Sequence, residues 1–145
     1  MVWTAAKELS VIVPAAISGK ADIVIAPAWF AKYPRFVACY GSDLAAAVLK
    51  PNGKRGPNGA PGYVWHDYLA GTDPTDEASV FSAKVALDAE GRPVVGWTPE
   101  LNAEEAAKRR YRTFGKAKLS DAAWSEVVEG HEADFRFFKV TVEMR

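Results

Sequence analysis

The chain has 145 residues, 18 Lys+Arg against 18 Asp+Glu, and 49% hydrophobic side chains. That length suits one domain with a real core, and the 25% charged and 12% aromatic residues argue against a disordered chain. Zero net charge removes the usual electrostatic case for a nucleic-acid binder, and a single Cys excludes an intrachain disulfide framework and a Cys-rich zinc site.

No run approaches the roughly 18–20 apolar residues that a membrane helix needs, so no membrane insertion is expected. Residues 9–18 (LSVIVPAAIS) have the length of a signal-peptide core. Lys7 and Glu8 precede them, Pro14 interrupts them and no small-x-small cleavage site follows, so a buried N-terminal segment is expected. Residues 22–26 (DIVIA) predict a strand. Residues 28–33 predict one or two helical turns ended by Pro34, and 36–40 a second strand. Ser42 is expected to cap a helix over 43–49, with Asp43 in its first turn.

Residues 1–62 carry 7 basic and 3 acidic side chains, a net of +4, and residues 63–145 carry 11 and 15, a net of −4. The change falls at 50–62 (KPNGKRGPNGAPG), with four Gly and three Pro in thirteen positions. Such a stretch reads as a mobile loop, with Lys54-Arg55 at its solvated tip.

Residues 63–70 (YVWHDYLA) predict a short helix with Gly71 at its C-terminal cap. Residues 80–87 alternate, with Phe81, Ala83, Val85 and Leu87 on one face. A turn over 88–92 leads to a hairpin partner at 93–97. Residues 102–108 are a polar excursion, 111–114 a third strand, and 119–128 hold a short capped turn at Ser120-Asp121 ahead of Trp124. The chain closes on 135–144, where Phe138, Val140, Val142 and Met144 share a face. The expected fold is α+β, mainly β: an antiparallel meander of about five strands with short N-terminal helices, all in a single domain over 1–145. Its parts are an N-terminal α/β segment (22–49), the Gly/Pro-rich loop (50–62), and a helix plus sheet (63–145). Trp65, Trp97, Trp124, Phe138 and Val140 are the expected core.

Little in the chain looks like a reactive site. Cys39 lies between Ala38 and Tyr40 in an apolar run and reads as a buried, inert thiol. A hydrolase would need it to meet His66 or His131. Neither His has i, i+4 metal-ligand spacing, so His66 reads as a helix-surface residue and His131 as a loop residue. Asp73, Asp76 and Glu77 cluster around Pro74, which suits an Asx turn at Asp73 and a cap at Asp76 better than a calcium site. The Trp residues at 29, 65, 97 and 124 read as core, with carbohydrate stacking the alternative. Arg109-Arg110-x-Arg112 reads as an alternating solvent face.

Residues 64–81 (VWHDYLAGTDPTDEASVF) follow the pattern Trp-x-x-Tyr-[Val/Leu]-Ala-Gly-x-Asp-Pro-Thr-Asp, then Ser-x-Phe. This resembles the C-terminal modules of large secreted or surface-displayed bacterial proteins, many of them from gut and related anaerobes. The likeness continues through 92–101 (RPVVGWTPEL), 111–119 (YRTFGKAKL), Trp124 and 137–144 (FFKVTVEM), and is looser over 22–62. The same stretch is similar to the tail of thrombospondin type 3-like calcium repeats, in which an acidic residue before Tyr closes a twelve-residue loop. Asp67 fills that place, which sets Gly56, Asn58 and Ala60 where carboxylates should stand. Only Asn58 keeps a side-chain oxygen, so the motif implies a retained fold that has lost its metal, and no cofactor is expected.

The resemblance implies a noncatalytic structural or adhesion-type accessory module at the cell surface. Its partner would be the rest of a larger parent chain or an envelope component, with no nucleic acid involved. The Met1 start without a clear signal segment suggests a fragment or truncated frame, so the location follows from the resemblance alone. A carbohydrate-binding module using exposed aromatics and a small hydrolase using Cys39 and a His are the alternatives.

Overall fold

A computed structural model describes residues 10–145, apart from the side chain of Asn58; Leu9, where the expected N-terminal segment starts, lies outside the described residues. The contacts divide the chain into two compact units at Val80–Phe81, rather than at the compositional break over 50–62.

In the first unit, β1 (Val11–Val13) pairs antiparallel with β2 (Ile23–Ile25), Val11 opposite Ile25. Between them, α1 (Ala15–Ser18) starts after Pro14 and ends at Gly19, whose φ of 95° suits glycine. Then come α2 (Pro27–Ala31), opened by Pro27, α3 (Phe36–Tyr40) and α4 (Leu44–Ala47). The expected strand at 36–40 is therefore a helix. Phe36 and Tyr40 share a face at i, i+4 spacing, a pattern that five residues cannot distinguish from strand alternation. The cap before α4 is Asp43, not Ser42: its carboxylate accepts the Ala46 N–H at 3.3 Å.

The segment expected to be a mobile loop is an antiparallel hairpin of β3 (Pro51–Arg55) and β4 (Pro61–Tyr63), joined by a 3-10 turn over Pro57–Gly59. It leads into α5 (Val64–Ala70), which ends at Gly71 with φ 83° as the sequence predicts. The core lies among these elements: Val13, Ile25, Phe36, Val48 and Val64 are sealed, and Trp65 is buried with them. Trp29 packs edge-on against Phe30, Tyr33, Phe36 and Tyr68, with centroids 5.1–6.0 Å apart.

In the second unit, β5 (Ser82–Leu87) and β6 (Pro93–Thr98) form a regular hairpin closed by Asp88, which accepts the Glu90 and Arg92 N–H groups. These bonds, the one from Arg92 foremost, hold the Asp88 carboxyl below its ordinary pKa. The polar excursion at 102–108 contains α6 (Ala103–Ala107), capped by Asn102. Next come β7 (Arg109–Lys116), β8 (Ser125–Glu126) and β9 (Phe137–Met144), ordered β8-β7-β9. The class is α+β and β-rich, as expected, with five antiparallel strands in this unit divided between a hairpin and a three-stranded sheet.

The expected core residues Trp97, Trp124, Phe138 and Val140 are only half-buried, and Val85 and Leu87 are exposed. All six residues of β5 are exposed, because a unit this small has too little interior to seal both sides of its strands. Only Arg109 and Gly115 are buried among its residues. Arg109 is no solvent-facing member of the basic cluster: its guanidinium bonds the Glu105 carbonyl at 2.9 Å and carboxylate at 3.2 Å. Glycine at 115 is required by contact, since a Cβ there would lie 2.5 Å from the Phe135 ring.

Candidate functional site

The polar centre of the first unit is built around Asp67, whose side chain is 1% exposed. It sits on α5, and the amphipathic turn that buries Val64, Trp65 and Tyr68 carries its carboxylate inward. Oδ1 accepts from Lys54 Nζ at 2.6 Å and from Thr72 Oγ1 at 2.7 Å, and Oδ2 accepts from Asn52 Nδ2 at 2.7 Å. Each oxygen of a buried carboxylate thus has a donor, which a buried charge requires.

Lys54 is equally saturated. Besides Asp67, its ammonium donates to the carbonyls of Asp73 at 2.7 Å and Ser79 at 2.6 Å. Three donors meet three oxygens, from α5 and from both ends of the 73–79 loop. The solvated tip expected for Lys54 is overturned, because Asn52 and Lys54 alternate inward along β3 while Pro51, Gly53 and Arg55 face out. Asn52 Nδ2 also donates to the Tyr63 carbonyl, and its Oδ1 accepts the Lys54 N–H at 2.9 Å. Gly62 lets β4 approach this cluster: a Cβ there would stand 2.8 Å from Asn52 Oδ1 and 2.9 Å from the Lys54 carbonyl.

A carboxylate and two carbonyls around one cation form a hard, oxygen-only donor set, the chemistry calcium favours. Here the chain supplies that cation itself. Gly56 and Ala60 lie beside the turn of the hairpin and bring no side-chain oxygen; the side chain of Asn58 lies outside the described residues. Among the described residues there is no group of three or more His, Cys, Asp or Glu that could hold a metal. Of the two residues expected to mark the degenerate calcium loop, Asp67 is in this cluster.

The remaining candidates do not join it. Cys39 is exposed on α3, not buried, because the helical turn points Phe36 and Tyr40 inward instead. His66 is half-buried rather than on the surface; its Nδ1 accepts the Tyr63 N–H at 2.9 Å and its ring lies 3.8 Å from that of Trp65. Burial pushes its pKa down, and the Asp67 charge opposes this only in part. His131 is exposed, 3.4 Å from Asp134. Asp73 makes the expected Asx turn, accepting the Thr75 N–H at 2.8 Å, and Asp76 accepts the Ala78 N–H at 2.9 Å. Asn52, Lys54, Thr72 and Ser79 were missed from sequence; the period-2 placement of Asn52 and Lys54 is the signal that could have found two of them.

The second unit holds two aromatic arrangements. Phe81, Tyr111 and Trp97 stack in a row, Tyr111 and Trp97 with centroids 4.4 Å apart. Trp124 faces two ammoniums, Lys116 at 4.8 Å and Lys139 at 5.1 Å. Comparison with models of protein families, with curated proteins and with solved structures finds no match to this chain.

Proposed function

We propose that the chain is a noncatalytic structural or adhesion-type accessory module of a secreted or cell-surface bacterial protein, working beside the rest of a larger parent chain or an envelope component. The observation that carries this is the saturation of the Asp67 cluster. Its carboxylate, ammonium and amide are spent on holding β3, α5 and the 73–79 loop together, so the most polar buried residues of the unit serve architecture. His66 is spent likewise, with Nδ1 engaged by the backbone of Tyr63. The likeness of 64–81 to modules that end surface proteins gives the setting.

The test is co-sedimentation of the full chain with purified bacterial cell walls, with and without calcium. Retention that ignores calcium is the expected result; passage of the whole sample into the supernatant sinks the adhesion role. A carbohydrate-binding module is the second reading, supported by the partial exposure of Trp97 and Trp124. Acrylamide quenching separates the two, since sugar-binding rings must be open to the quencher.

A further inference from the structure

The outer face of the three-stranded sheet combines charge and aromatic rings in a way the accessory role leaves unexplained. Residues opposite one another in an antiparallel ladder share a face. Arg112 is opposite Thr141, Phe114 is opposite both Lys139 and Glu126, Lys116 is opposite Phe137, and Arg110 is opposite Glu143. This face therefore carries four cations against two carboxylates, in a unit whose 11 basic and 11 acidic side chains balance overall.

The cations at its centre are held in place. Lys116 and Lys139 both lie within about 5 Å of the Trp124 centroid, and Lys139 is 5.4 Å from that of Phe114. Among the described residues, neither ammonium forms an ion pair with a carboxylate. Lys116 and Lys139 bring two positive charges to one indole, and an anion bound beside that ring is attracted by both. The rings also restrict both lysine stems, which lowers the entropy lost when an anion is bound. Arg112 adds a third cation to the face, its Nε ion-paired with Glu126 at 3.6 Å and its side chain 32% exposed.

We propose that this face binds a carboxylated polysaccharide, its acid groups paired with Lys116, Lys139 and Arg112. This names the partner class of the accessory module proposed above and so rests on that reading. Arg112 and Lys116 are four residues apart on β7, roughly 13 Å, and Lys139 stands opposite Phe114 midway between them, so the three cations line a path that a linear polyanion can follow. The two carboxylates on the face and the zero net charge of the chain favour a sparsely charged sugar acid over the dense phosphates of nucleic acid.

The experiment is affinity electrophoresis of the full chain through gels holding polygalacturonate, neutral dextran or single-stranded DNA. Polygalacturonate retards the chain, dextran does not, and retardation disappears near 1 M salt, where the Debye length is about 3 Å. The Lys116→Gln/Lys139→Gln variant binds about tenfold more weakly, the loss of charge-assisted hydrogen bonds. Its melting midpoint is read alongside; should it fail to fold, the single variant Lys139→Gln replaces it with the same expected direction. No retardation by polygalacturonate, equal retardation of parent and variant, or stronger retardation by DNA overturns the proposal. Retention on whole cell walls by a chain that ignores polygalacturonate would overturn it while leaving the accessory role standing.

Discussion

The ammonium of Lys54 lies 2.6 Å from Oδ1 of Asp67, with the two side chains only 7% and 1% exposed. This ion pair joins a hairpin strand to the helix that follows it, and through the Asp73 and Ser79 carbonyls it also fixes the loop beyond. A buried pair contributes little net stability over a well-packed apolar pair, because desolvation offsets most of the attraction. Breaking it from one side is another matter.

Lys54→Met leaves the Asp67 carboxylate buried and without its cation, which costs about 3–5 kcal/mol. Adding Asp67→Asn removes the stranded charge and recovers most of that loss. Urea unfolding of both single variants and the double variant measures the coupling directly. Losses that simply add would show that the two side chains do not act as a pair.

His66 makes the fold sensitive to acid. Its folded pKa lies below the ordinary 6.5 because burial disfavours the charged ring. Its stabilising contribution is therefore complete above pH 6.5, and is lost as pH falls from there through the lower folded pKa, where the unfolded chain takes up the proton first. Protonating Nδ1 would also end its acceptance of the Tyr63 N–H. His66→Asn keeps an acceptor without titrating, so its unfolding midpoint should fall less steeply over that window than the parent's.

Alternation over 80–87 and 135–144, with the turn that makes 93–97 a hairpin partner, points to strands that form at Ser82–Leu87, Phe137–Met144 and Pro93–Thr98, because the period of a strand repeats without regard to distant contacts. Gly71 likewise marked the end of α5, since a left-handed C-terminal cap is a local requirement. What escaped was decided by tertiary contact. The glycines and prolines of 50–62 suggest a loop, yet Gly62 is there to let two strands meet over Asn52. Alternation puts Asn52 and Lys54 on one face of β3, but nothing local in KPNGKR says that this face, rather than that of Arg55, turns inward. That choice depends on Asp67, thirteen residues away. Asp67 stood out from its motif, but its partners did not.

Tyr111 stacks on Trp97, and its hydroxyl is buried with no hydrogen-bond partner among the described residues. Burial accordingly raises its pKa. Tyr111→Phe keeps the ring and removes the unmet polar group, so the variant should match or exceed the parent's stability by up to about 1 kcal/mol. A clear drop in the thermal midpoint would reveal a bond made by that hydroxyl.

The most direct measurement is the thermal midpoint of the unmodified chain in calcium and in chelator. A metal that binds only the folded state must raise the midpoint, by an equivalent of about 2.7 kcal/mol at a hundredfold excess over its dissociation constant. With Lys54 occupying the oxygen-lined position beside Asp67, the two curves should superimpose. A midpoint that rises with calcium and falls back in chelator would contradict the assignment of Lys54 as the built-in cation of this fold.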